Sequence, residues 1–132
     1  MWNMHKSGEI VINTGPILAL IAGTGSLSIL GDVYARVVVP FEVCAEVREG
    51  GTGSYGIQEF EQASFLEKMD GRIMIPSYLR NSLDLGESSV IQTALDCTIA
   101  TVCIDEAVGR RVARLSGLHV TGSLGILLKA KQ

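Results

Sequence analysis

Four positions carry oxygen donors of the kind that bind hard cations: Asn13, Glu46, Glu87 and Asp105. Asn13 closes an apolar run, Glu9 to Ile12, and Asp105 closes Thr101-Val102-Cys103-Ile104 just ahead of a helix. In an open parallel sheet ligands bind beyond the carboxyl ends of the strands, so both residues stand where such a fold builds its sites. Glu46 falls one turn into the helix after Pro40, and Glu87 opens its own helix behind Gly86. If the first and fourth strands are neighbours, three carboxylates and one amide meet at one edge. Carboxylates brought together repel, and a hard divalent cation held by oxygen ligands relieves that repulsion. Mg²⁺ or Mn²⁺ suits this set, and either would stabilise charge on a phosphodiester and acidify an attacking water. Taken singly, each acid also has an ordinary structural role: Glu46 on a solvated helix face, Glu87 complementing a helix dipole, Asp105 as an N-cap. The order of the strands decides between the two.

The elements that must position these residues alternate between apolar strands and amphipathic helices. Strands are expected at Glu9–Ile12, Ala35–Val39, Arg72–Ile75, Ile99–Ile104 and His119–Thr121. Helices are expected at Pro16–Ala22, around Ser26–Leu30, at Phe41–Glu49, Ile57–Lys68, Glu87–Cys97, Glu106–Ser116 and Ser123–Lys131. Val90, Ile91, Ala94 and Leu95 form the apolar side of the Glu87–Cys97 helix. Gly50 to Ser54 reads as a flexible loop, and Leu83 to Gly86 as a polar turn. Such alternation predicts an α/β fold, a parallel sheet with helices on both faces.

At 132 residues, 47% apolar and 19% charged, the chain has the length and composition of one packed domain. A net charge of −3 excludes bulk attraction to nucleic acid, so any such contact must use a local basic patch. Arg110 and Arg114, four apart on one helix with Arg111 beside them, are candidates for that patch with Lys129 and Lys131. Cys44, Cys97 and Cys103 lack a CxxC spacing and sit among apolar neighbours, as thiols do in a reducing compartment. Ile17 to Ala22 is too short to span a bilayer, which leaves a cytoplasmic protein with no membrane role. His5 reads as a tail residue and His119 as a strand residue, and neither Gly23-Thr24-Gly25 nor Gly51-Thr52-Gly53-Ser54 has the spacing of a phosphate cradle.

Four segments together resemble the successive motifs of PIN-domain proteins, and most of all their VapC-like branch. They are Ile10-Val-Ile-Asn-Thr-Gly-Pro-Ile-Leu-Ala-Leu, Val43-Cys-Ala-Glu-Val, Leu83-Asp-Leu-Gly-Glu-Ser-Ser-Val-Ile and Ile104-Asp-Glu-Ala-Val-Gly-Arg-Arg-Val-Ala. The closing Val120-Thr-Gly-Ser-Leu-Gly-Ile-Leu-Leu-Lys-Ala-Lys is similar to that branch as well. The resemblance implies a three-layer α/β/α fold with a central parallel sheet, one PIN-like domain over residues 1–132, and a C-terminus shorter than that of most relatives. It implies a metal-dependent ribonuclease using Mg²⁺ or Mn²⁺, acting on RNA, commonly a homodimer and often a toxin with a cognate antitoxin. Carried over, Asn13, Glu46, Glu87 and Asp105 become the metal and catalytic residues and Glu106 an auxiliary acid. With such a site, Thr14 and Arg110 are the residues expected to position substrate. Asn13 departs from the family pattern, which has aspartate there. An amide oxygen ligates Mg²⁺ but brings no negative charge. The departure sets a second expectation beside the first: a binding module that keeps the acidic pocket for an antitoxin or RNA without cleaving.

Overall fold

A computed structural model of the chain describes residues 7–49 and 55–131. The loop expected at Gly50–Ser54 and the tail residue His5 lie outside the described residues. Within the described residues five strands form one parallel sheet in the order β3-β2-β1-β4-β5. They are β1 (Ser7–Ile12), β2 (Tyr34–Val39), β3 (Leu66–Lys68), β4 (Thr101–Cys103) and β5 (His119–Thr121). Among the described residues eight helices flank it: α1 (Thr14–Thr24), α2 (Ser28–Val33), α3 (Phe41–Glu49), α4 (Ile57–Gln62), α5 (Ser77–Ser82), α6 (Leu85–Cys97), α7 (Ala107–Leu115) and α8 (Ser123–Ala130). This is the expected α/β architecture, with helices on both faces of an all-parallel sheet. Among the described residues no helix is long and apolar enough to cross a membrane.

The central strand shows why the sheet must be covered twice. Ile10, Val11 and Ile12 are consecutive, so their side chains point to opposite faces, and all three are fully buried. Val11 lies opposite Val38 of β2 on one side and Val102 of β4 on the other. Phe60, Leu20, Leu30, Leu79, Ile91 and Ile126 supply large, fully buried side chains from the helices. The chain winds outward from β1 through β2 to β3, then returns to lay β4 on the other side of β1. The winding therefore reverses between β1 and β4, where the strand ends splay open a crevice.

Several boundaries differ from expectation. The helix expected over Ile57–Lys68 stops at Gln62, and Leu66–Lys68 is the edge strand β3, with Leu66 opposite Val37. The apolar spacing of three runs through the break, but the outer side of β2 needs a hydrogen-bonding partner, and this segment supplies it. Arg72–Ile75 forms no strand: Met74 is 89% exposed and Pro76 follows, which lacks the N–H a ladder needs. The next six residues, Ser77–Ser82, form a helix that the sequence reading lacks, and it buries Leu79. Leu95 faces outward, since the buried stripe of α6 runs through Val90, Ile91, Thr93 and Ala94. Within Ile99–Ile104 the strand itself is Thr101–Cys103, with the backbones of Ala100 and Ile104 still hydrogen-bonded to His119 and Thr121.

Candidate functional site

At the crevice between β1 and β4 a cavity of about 420 Å³ is lined by Asn13, Thr14, Glu46, Asp84, Glu87, Asp105 and Glu106, with Gly15 and Pro16 on its floor. Asn13 arrives there because the backbone N–H that follows β1 still pairs with the neighbouring strand, donating to the Cys103 carbonyl at 3.1 Å. Its extended backbone makes it the N-cap of α1, yet its side chain makes no cap bond. Oδ1 of Asn13 is instead buried with no hydrogen-bond partner among the described residues. A buried acceptor without a donor carries an unrelieved desolvation cost, which a cation or donor entering the cavity removes.

Glu46 reaches the cavity from the second turn of α3. Its Oε1 accepts a 2.6 Å hydrogen bond from Oγ1 of Thr14. A methyl group at Gly86 would stand 2.7 Å from that Oε1 and 3.2 Å from Oδ1 of Asn13. The two oxygens thus crowd the same small volume, and only glycine leaves room for both.

Asp84 caps α6 and accepts a 2.8 Å hydrogen bond from the backbone N–H of Glu87, which fixes the first turn of α6 and aims Glu87 inward. Glu87 is only 6% exposed. Burial pushes its carboxyl above the usual carboxylate range, and the charges of Asp84, Glu106 and Glu46 push the same way, against the backbone of Asp84. These acids line one cavity, so the charge of each is felt by the others. Gly109 of α7 permits the close approach, since a methyl there would meet Glu87 Oε2 at 3.2 Å.

Asp105 follows β4, and both its oxygens are engaged: Oδ1 by the backbone N–H of Ser123 at 2.8 Å, Oδ2 by the Ser123 hydroxyl at 2.9 Å. Among the described residues no three His, Cys, Asp or Glu side chains stand close enough together to hold a metal ion. Within the crevice Glu46 is bonded to Thr14 and Asp105 to Ser123. The donor set itself is all oxygen, and with the unpartnered Asn13 Oδ1 it fits a hard divalent cation.

The crevice therefore brings together Asn13, Thr14, Glu46, Glu87, Asp105 and Glu106. Arg110 stands just outside the lining, with Nη1 donating to the Ile104 carbonyl at 2.8 Å. Arg111 and Arg114 are exposed on the same helix, whereas Lys129 lies over the Tyr34 ring and lines a separate groove with Gly8 and Glu9, at the opening ends of β1 and β2. Lys129 thus stands apart from the arginines of α7. Asp84 is the lining acid that sequence reasoning missed; the signal was its Asp-x-x-Glu spacing to Glu87, the pattern of a helix cap.

No curated protein matches the chain. A family comparison matches residues 9–132 to the PIN domain. That match takes in every strand residue from Glu9 onward and every residue of the acidic crevice, so the chain belongs to the PIN-domain family.

Proposed function

We propose that the chain is a metal-dependent endoribonuclease of the VapC-like kind, the toxin of a toxin–antitoxin pair, acting as a single PIN-like domain over residues 1–132. Membership of the PIN-domain family carries a nuclease-type function and, in general, the use of divalent metals. The observation that carries the finer reading is the buried, unpartnered Oδ1 of Asn13 in a cavity shared with Glu46, Glu87 and Asp105. Asn13, Glu46, Glu87 and Asp105 would hold Mg²⁺ or Mn²⁺. Bound there, the ion supplies charge stabilisation for a phosphodiester and a more acidic water. Asn13 presents a neutral acceptor, fixed at the start of α1. Glu87 would ligate as the carboxylate, the form that its burial and the neighbouring acids disfavour and that a bound cation would favour. Thr14 orients Glu46 through their hydrogen bond, and Arg110, beside the crevice, meets substrate phosphate. RNA as substrate, a cognate antitoxin, a homodimer and a cytoplasmic setting rest on the family resemblance.

The test is cleavage of single-stranded and structured RNA with added Mn²⁺, beside Asp105→Asn. Cleavage that falls by about a hundredfold in the variant supports the assignment. Equal activity in the two proteins overturns it.

One observation favours a second reading. Asn13 brings no charge to the set, so the same crevice suits a binding module that holds RNA or an antitoxin's Arg or Lys without cleaving. Calorimetric titration with Mn²⁺ separates the two. Tight binding that is lost in Glu87→Gln counts against a silent pocket.

A further inference from the structure

A second groove, of about 380 Å³, adjoins the first and shares Glu46 and Asp84 with it. Phe41, Glu42, Arg72 and Leu85 form the rest of the wall that matters here. The guanidinium carbon of Arg72 sits 5.3 Å from the centre of the Phe41 ring, so an aromatic face in the groove wall is covered by a flat cation from an irregular segment. Glu42 is 7% exposed, and its Oε1 has no hydrogen-bond partner among the described residues. Carboxylate oxygens accept and never donate, so this wall is incomplete without an N–H or O–H from a ligand.

We propose that the groove is a nucleobase subsite next to the scissile phosphate, and that Glu42 selects guanine. This rests on the reading of the first cavity as a ribonuclease site, with which the groove shares Glu46 and Asp84. Stacking surfaces of aromatic and guanidinium groups are what unstacked RNA bases dock on. The acids that line the groove repel phosphate, whereas a base is neutral and enters. Among the four bases, guanine alone presents two adjacent N–H donors on its Watson–Crick edge, the complement of a carboxylate. Adenine and cytosine set an acceptor beside their amino group, and uracil flanks one N–H with two carbonyls. Arg72 is exposed in the irregular stretch between β3 and α5, and on this proposal a base enters by taking its place on the Phe41 ring, with the guanidinium stacking on the far face.

The experiment is titration of the full chain with guanosine, adenosine, cytidine and uridine in metal-free buffer, followed through backbone amide shifts. Guanosine is expected to bind about tenfold more tightly than the others and to shift Phe41, Ala45 and Leu85. Glu42→Gln abolishes the preference, and Phe41→Leu weakens all four nucleosides alike, with thermal melts confirming that both variants fold. Equal binding of the four nucleosides, a guanosine preference that survives Glu42→Gln, or shifts produced by arginine amide and by no nucleoside overturns the proposal; the last would assign the groove to a partner's arginine. Nucleoside binding needs neither metal nor cleavage. Its failure therefore leaves the ribonuclease reading standing, and a failed RNA assay leaves this result intact.

Discussion

Oγ1 of Thr14 donates to Oε1 of Glu46 across 2.6 Å, joining the first residue of α1 to the middle of α3 over 32 positions of sequence. A hydrogen bond to a charged acceptor at this distance holds the carboxylate in one orientation. In Thr14→Val the hydroxyl is replaced by a methyl of the same shape. Stability is expected to fall by about 1 kcal/mol in a urea melt, and Mn²⁺ affinity to fall by less than about tenfold, as a freed Glu46 samples more rotamers. Thr14→Ser should restore both. Tighter Mn²⁺ binding in Thr14→Val would show the opposite, that the bond holds Glu46 away from the ion.

How far this arrangement was legible depends on which physical signal each part leaves in the chain. Runs such as Ile10-Val-Ile and Arg36-Val-Val-Val announce strands buried on both faces, and the match of Phe41–Glu49 to α3 follows from Pro40 before it and the glycines after. The edges were harder. Leu66 continues the apolar spacing of Ile57, Phe60 and Ala63, and nothing local says that β2 will claim it as a partner. Arg72–Ile75 has strand composition, but Leu66–Lys68 already pairs with the outer side of β2. The convergence of Asn13 and Asp105 rested on one unknown, the adjacency of β1 and β4, and the pairing of Ile12 with Cys103 settles it. The orientations of Glu46 and Asp105 left no trace in spacing, because Thr14 and Ser123 set them through tertiary contacts.

Glu87 gives a pH-dependent prediction for the metal-free protein. Its folded carboxyl titrates above the ordinary glutamate value of 4.5, chiefly through burial, with the charge of Asp84 the next cause. The stability this group contributes is therefore full below about 4.5 and is lost as pH rises through the raised value. At pH 7 the buried charge is a cost that Glu87→Gln removes. The variant should unfold at higher urea than wild type at pH 7 in EDTA, and the gap should close near pH 4.5. A variant no more stable than wild type at pH 7 would sink the argument.

Asp84 has two separable effects on that carboxyl. Its side chain caps α6 at the Glu87 N–H, and its charge raises the Glu87 carboxyl. Asp84→Asn keeps an acceptor for the cap and removes the charge; Asp84→Ala removes both. Chemical denaturation should show Asp84→Ala less stable than Asp84→Asn by about 1 kcal/mol, the usual worth of an N-cap. A carbon-detected titration of Glu87 should show a lower midpoint in Asp84→Asn than in wild type. If the midpoint stays where it is in Asp84→Asn, burial alone sets it.

Asn13→Asp restores the charge that the family pattern carries at this position with little change in volume. Oδ1 of Asn13 is buried, has no partner among the described residues, and stands over Gly86 together with Oε1 of Glu46. A second negative charge there, without an ion, adds repulsion to a cluster that already holds the Glu87 carboxyl up. The metal-free variant should therefore melt below wild type. Added Mn²⁺ should reverse the order, since one more anionic oxygen raises affinity by about tenfold, and ligand binding to the folded state raises the midpoint. Scanning calorimetry in EDTA and in Mn²⁺ reads both arms without any cleavage assay. If the proposed nuclease is limited by the missing charge, RNA cleavage in the variant rises at low Mn²⁺. If the crevice is a silent pocket, metal affinity rises and no cleavage appears at any metal concentration. A wild type that already cuts RNA briskly, with Asn13→Asp no better, would show that the amide is an adaptation of this site and not a defect.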